Sequence, residues 1–130
     1  MERKYLLDAS ALLAVIRNEP GADRVLAVLD NSEIHAVNLA EVVRKLVAFG
    51  KPVDEVIAYT DALNLEVLEE LNVKQVHEVA KLAPEAKRLG LSLGDCVCLV
   101  IAEWLGMTAV TAERRWSEIR GRKVTILQIR

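Results

Sequence analysis

A chain of 130 residues, 52% hydrophobic and 28% charged, is long enough and apolar enough for one domain with a conventional core, which excludes a disordered segment. Aromatic residues make up only 4%, so that core is expected to be aliphatic. The formal net charge of -2 exerts no general pull on nucleic acid, so a polyanionic substrate would need a local basic patch or a bridging cation.

No apolar run reaches the ~18 residues needed to cross a bilayer. The chain enters its first strand through Glu2, Arg3 and Lys4, without a signal-like apolar segment. Cys96 and Cys98 stand two apart and read as buried small hydrophobes, not as a disulfide framework. A soluble cytoplasmic protein is expected.

Short apolar runs alternate with helical stretches along the chain. A strand at residues 5–8 leads to a helix at 11–17, the breaker Asn18-Glu19-Pro20-Gly21, and a second helix at 22–30. A strand at 34–37 runs into a helix at 39–49, and Gly50-Lys51-Pro52 separates this from a helix at 53–61. The run 65–68 is assigned as a strand, although it equally continues a helix. A long helix at 73–89 carries Pro84, which predicts a kink or restart. Residues 97–102 are wholly apolar and resemble a strand, but the Ser92-x-x-Asp95 start, the length, and Gly106 beyond the end favour a buried helix over 93–105. A strand at 108–111, a helix at 112–120 and a strand at 124–129 complete the chain. Strands joined through helices favour parallel pairing with right-handed crossovers. The expected fold is a single α/β domain over 1–130, a three-layer α/β/α sandwich around a parallel sheet of about five strands.

Four acidic residues, Asp8, Glu41, Asp95 and Glu113, fall where an apolar run gives way to a helix start. Singly, each has a structural explanation. Asp8 suits a cap for the helix beginning near Ser10; Glu41 lies three residues after Asn38, and Asp95 three after Ser92, as in the reciprocal capping box. Glu113 suits a first-turn position facing the helix dipole. Together they point elsewhere, because ligands of open parallel sheets bind beyond the carboxyl ends of the strands. Two unit charges ~4 Å apart repel by ~4 kcal/mol at an effective dielectric of about 20. Capping needs no such gathering, whereas a hard cation with oxygen ligands benefits from it. Mg²⁺ or Mn²⁺ is the expected cofactor, and no Cys/His cluster of the kind zinc uses is present. The pattern suggests a metal-dependent nuclease.

Four segments carry a family resemblance: Leu7-Asp8-Ala9-Ser10-Ala11-Leu12, Asn38-Leu39-Ala40-Glu41-Val42, Leu91-Ser92-Leu93-Gly94-Asp95 and Val110-Thr111-Ala112-Glu113-Arg114-Arg115-Trp116. In this order and spacing the chain resembles PIN-domain ribonucleases of the VapC toxin type over nearly its whole length. The resemblance implies that Asp8, Glu41 and Asp95 are metal ligands, directly or through water. It places Glu113 where the family usually has Asp, which extends the carboxylate by one methylene. Ser10 and Thr111 match hydroxyl positions that support the acid cluster. The implied reaction is hydrolysis of an RNA phosphodiester, with inhibition by a small cognate antitoxin and assembly as a homodimer, for which the helices at 22–30 and 53–61 offer apolar surface. Candidate phosphate contacts are Arg114, Arg115, Arg17 and Arg44; Lys45 reads as part of a solvated face, and Arg120-Gly121-Arg122-Lys123 forms a basic turn of undefined distance from the acids. His35 and His77 are expected to be structural or exposed, and Trp116 to pack in the core.

Two rivals accompany this reading. An aspartyl-phosphate phosphohydrolase would show a second Asp two residues after the first, where Ser10 stands here. A catalytically weak interaction module, binding RNA or an antitoxin peptide without cutting, is favoured only by the Glu113 departure. A receiver domain lacks its adjacent acidic pair after the first strand.

Overall fold

The computed structural model describes residues 4–130; Glu2 and Arg3, the charged start of the chain, lie outside the described residues. Five short strands, β1 (Tyr5–Leu7), β2 (Ser32–His35), β3 (Glu66–Leu68), β4 (Thr108–Thr111) and β5 (Thr125–Gln128), form one sheet in the order β3-β2-β1-β4-β5. Every pairing is parallel, as connections through helices require. Seven α-helices lie among the described residues: α1 (Ala9–Ile16), α2 (Ala22–Val28), α3 (Ala36–Ala48), α4 (Val53–Ala62), α5 (Val73–Lys81), α6 (Ala83–Leu89) and α7 (Leu93–Leu105).

The two-residue period of the central strands assigns the layers. Leu6 and Ala109 pack with Val97, Leu99 and Ile101 of α7 and with Trp116. Leu7 and Val110 pack on the other face with Ala11 and Ala14 of α1 and Val25 of α2. Ile34 of β2 joins Val42, Leu46 and Val56, which brings α3 and α4 into that second layer. Both faces are thereby covered, as an all-parallel sheet demands. Buried on nearly every side, α7 explains its strand-like sequence: Cys96 through Ala102 are all buried. Leu99→Ala is expected to reduce the unfolding free energy by about 2–5 kcal/mol, read from the shift in urea midpoint at constant slope.

Several expectations are corrected. The strand predicted at 34–37 stops at His35, and α3 starts immediately at Ala36. His35 caps it, with Nδ1 accepting the Val37 N–H at 3.1 Å and Nε2 donating to Glu70 O at 2.9 Å. Histidine is not a preferred cap, so no start signal is legible there. The helix predicted at 112–120 is a 3-10 turn, Arg114–Glu118, because the N–H groups of Ala112 and Glu113 are taken by hydroxyls and the chain stays extended through Glu113. The helix predicted at 22–30 ends as α2 and a 3-10 turn at Leu29–Asn31. The long helix at 73–89 breaks at Leu82, with Pro84 in the first turn of α6. Cys96 and Cys98 are buried free thiols, and Trp116 is 1% exposed. Among the described residues no helix is long and apolar enough to cross a membrane.

Candidate functional site: an acidic pocket at the switch point

From β1 the chain builds outward to β2 and β3, then returns to the opposite side of β1 as β4. The carboxyl ends of β1 and β4 therefore mark the point where strand order reverses, the usual ligand crevice of such sheets. Leu7 pairs with Val110 across that boundary, and the Asp8 N–H donates to Val110 O at 3.0 Å, so Asp8 and Thr111 emerge side by side.

Asp8 is 1% exposed and caps α1. Its Oδ1 accepts from the Ala11 N–H (2.9 Å) and the Ser10 hydroxyl (2.7 Å), and its Oδ2 accepts from the Thr111 hydroxyl (2.6 Å). The directions of those hydroxyls are set from behind: Ala112 N–H donates to Ser10 Oγ and Glu113 N–H to Thr111 Oγ1, each at 2.9 Å. Both hydroxyl protons are thus turned toward the carboxylate. Burial nevertheless dominates and pushes the Asp8 carboxyl up to about 7, with the charge of Asp95 adding to the rise.

Glu41 lies in the second turn of α3, because that helix begins at Ala36; Asn38 is inside the helix, and the capping box expected between Asn38 and Glu41 does not exist. Burial and the Asp95 charge raise the Glu41 carboxyl above its ordinary range, while Lys45 and Arg44 pull it down. Asp95 does form the expected box, accepting the Ser92 N–H on Oδ2 at 2.9 Å while Ser92 Oγ accepts the Asp95 N–H at 3.1 Å. Capping accounts for one of its oxygens. Glu113 precedes the 3-10 turn without capping it through its side chain.

The four acids line one pocket of about 410 Å³, together with Ser10, Arg44, Lys45 and Gly94. Among the described residues, no three His, Cys, Asp or Glu side chains are grouped so as to hold an ion between them. The donor set is all oxygen, and Asp95 repels both Asp8 and Glu41, a strain that a bound cation would relieve.

The cations divide. Arg44 and Lys45 border the acids, and Lys45 is exposed, so the solvated face expected for it is the one beside the pocket. Arg115 Nη1 donates to Leu89 O at 3.1 Å, next to the pocket residue Gly90, and Arg114 is exposed one residue beyond Glu113. Arg17 lies past the far end of α1, stacked 4.2 Å over the Phe49 ring and 3.8 Å from Glu19. Nine residues of helical rise put it about 13–14 Å along α1 from the Asp8 cap, outside the pocket lining. Arg122 is likewise committed elsewhere, to Glu78 and Glu103. His35 is buried in its capping role and His77 is exposed on α5. Thr111→Val should lower divalent affinity about 10–100-fold, measured by Mn²⁺ titration, because it removes one of the donors that orient Asp8.

Two residues that read in the sequence only as neighbours of the acids, Asn38 and Gly94, are tied to the pocket: Gly94 lines it, and Asn38 bonds to Gly94 from behind. Asn38 Nδ2 donates to Gly94 O at 3.0 Å, and a side chain at position 94 would overlap the Glu41 carboxyl group. The one legible signal was a glycine in the first turn of a helix.

A family model described as PIN domain matches residues 5–122. Among solved structures, the chain is similar to a DNA-bound VapBC from Salmonella typhimurium, with 20% identity, a TM-score of 0.74, and coverage of 98% of this chain and 99% of that one. It is also similar to VapBC2 from Rickettsia felis bound to a promoter DNA fragment, with 18% identity, a TM-score of 0.73, and coverage of 95% and 97%. A toxin-antitoxin complex from Klebsiella pneumoniae shows 14% identity, a TM-score of 0.70, and coverage of 97% and 98%. No curated protein matches the chain.

Proposed function

The chain belongs to the PIN-domain family, and from that premise we propose that it is a divalent-metal-dependent endoribonuclease, the VapC-type toxin of a toxin–antitoxin pair. The observation that carries the proposal is the convergence of Asp8, Glu41, Asp95 and Glu113 on one pocket at the sheet's switch point. They come from four separate elements, and only Asp8 and Asp95 are explained by capping.

Asp8, Asp95, Glu41 and Glu113 are the residues that would hold Mg²⁺ or Mn²⁺, directly or through water, since Mg²⁺ keeps several waters when carboxylates bind it. Such an ion supplies Lewis acidity toward a phosphodiester and lowers the pKa of bound water. The chain's own contribution is orientation. Ser10 and Thr111 hold Asp8 in one rotamer through donated hydroxyl protons, and the Ser92 box holds Asp95. Glu41 and Glu113, the longer side chains, would complete the ion's ligand set. Arg44 on the pocket wall, with Arg114 and Arg115 after Glu113, are the cations that would contact phosphates flanking the scissile bond, contacts that position RNA without reading its sequence.

The solved structures similar to this chain include toxin–antitoxin complexes, which supports a cognate antitoxin as partner. A homodimer through the exposed apolar residues Leu26 of α2 and Val53, Ile57 and Tyr59 of α4, in the cytoplasm, completes the proposal.

The test is cleavage of a panel of structured RNAs, including transfer RNAs, with Mg²⁺, Mn²⁺ or EDTA. Asp95→Asn is the informative companion. Its amide oxygen still accepts the Ser92 N–H, so stability should change by no more than about 1 kcal/mol while cutting is lost. Cutting that survives EDTA, or equal cutting by the variant, would remove the metal-nuclease assignment. Metal binding without cutting of any RNA would favour the interaction module instead.

A further inference from the structure

Gly94 sits in the first turn of α7 and is not among the glycines with positive φ, so no backbone angle calls for glycine there. Glycine is a poorer helix former than alanine, so helix propensity does not call for it either. The reason for it must lie in the space a side chain would fill. That space is occupied by the Glu41 carboxyl group: a Cβ at position 94 would overlap Oε1, lie 2.7 Å from Cδ, and stand 3.4 Å from Asn38 Nδ2.

Asn38 marks the same place from the other helix. It is 1% exposed and donates from Nδ2 to Gly94 O at 3.0 Å, tying together helices whose contact residues are 56 apart in sequence. Its Oδ1 is buried with no hydrogen-bond partner among the described residues. A buried acceptor left without a partner is destabilising. Neither residue is what stability alone would select: Asn38 ties down the carbonyl of the very residue whose missing side chain leaves room for the Glu41 carboxyl group.

We propose that Asn38 and Gly94 form a clamp that positions the Glu41 carboxyl group against the first turn of α7, beside Asp95, and thereby sets the pocket's affinity for a divalent cation. The clamp rests on the metal-nuclease assignment above. Both are positioning residues, since they act through Glu41 and not on substrate. The overlapping atoms are the far end of a flexible side chain, so an added methyl group is accommodated by swinging the carboxylate aside. Folding and metal affinity therefore separate at this position.

The experiment is a double-mutant cycle of Gly94→Ala with Glu41→Ala. Mn²⁺ affinity is followed by the electron paramagnetic resonance of free Mn²⁺, and thermal unfolding is followed in EDTA. Gly94→Ala is expected to weaken Mn²⁺ binding at least ~10-fold in the parent and less than about twofold in the Glu41→Ala background. In EDTA, Gly94→Ala should raise the melting temperature in the Glu41→Ala background, where the helix-propensity gain is unopposed, and raise it less in the parent. An equal loss of affinity in both backgrounds, or none in a parent that binds Mn²⁺, overturns the clamp alone. A parent that binds no Mn²⁺ overturns the metal assignment and the clamp with it. Asn38→Ala guards against misfolding of the glycine variant: it should weaken Mn²⁺ binding in the same way, and again only when Glu41 is present.

Discussion

An Asp8→Asn protein is expected to cleave RNA on the order of 10³-fold more slowly than the parent in Mg²⁺ or Mn²⁺, with its fold intact. The substitution is close to isosteric in this environment. The oxygen of the introduced amide can keep the bonds from the Ala11 N–H and the Ser10 hydroxyl, and the amide nitrogen faces Thr111 Oγ1. The Thr111 proton can then turn to Ser10 Oγ, which stands 3.3 Å away. What disappears is one negative charge at the deepest point of the pocket. Initial rates on one RNA substrate, with both proteins purified identically, measure the effect. Equal rates would trace the cutting to a contaminant or to another site.

The same residue governs the second large effect, the pH dependence of stability without metal. Burial raises the Asp8 carboxyl from 3.8 to about 7, so the native state binds its proton more tightly than the unfolded chain does. Stability from this group is fully present below pH 3.8 and is lost as pH rises through about 7. Between pH 5 and pH 8 the loss amounts to about 2–3 kcal/mol, taking 1.36 kcal/mol per unit. Glu41 is shifted in the same direction and adds to the trend, while the lowered Glu85 carboxyl, at about 2, titrates outside this window. Urea unfolding in EDTA should therefore show the parent weakening from pH 5 to pH 8, and Asp8→Asn should flatten most of that slope. A parent whose stability rises or stays level over this range would show that the hydrogen bonds from Ser10, Thr111 and Ala11 outweigh burial at Asp8.

Both effects follow from one arrangement. Asp8 is held by donors that favour its charge, yet it sits where burial and a neighbouring carboxylate oppose that charge. A fold can retain such a group when something positive completes it in use.

Much of this was legible along the chain. Alternating apolar runs and helix starts announced a parallel α/β sandwich, and the sheet has the expected five strands. Pro84 announced the break between α5 and α6, and Ser92 with Asp95 and Gly106 resolved α7 as a helix despite its strand-like interior. These signals act within a few residues, through backbone angles, caps and side-chain period, so local sequence is sufficient to read them.

Where locality ended, expectation and structure parted. Asn38 looked like a cap for Glu41, but His35 starts the helix by using a buried ring nitrogen, which depends on the β3–α5 connection supplying Glu70 O for the other. Arg17 looked like a phosphate contact, but its place at the far end of α1 binds it to Phe49. The sequence by itself determined the fold class and singled out the four acids that line one pocket. Only the tertiary structure decided that Thr111 reaches Asp8 across 103 positions, and that the Glu41 carboxyl group occupies the space a side chain at position 94 would take. The physical reason is that close approach between two helices or two strand ends is a property of packing, in which each residue's role is set by atoms far away in sequence.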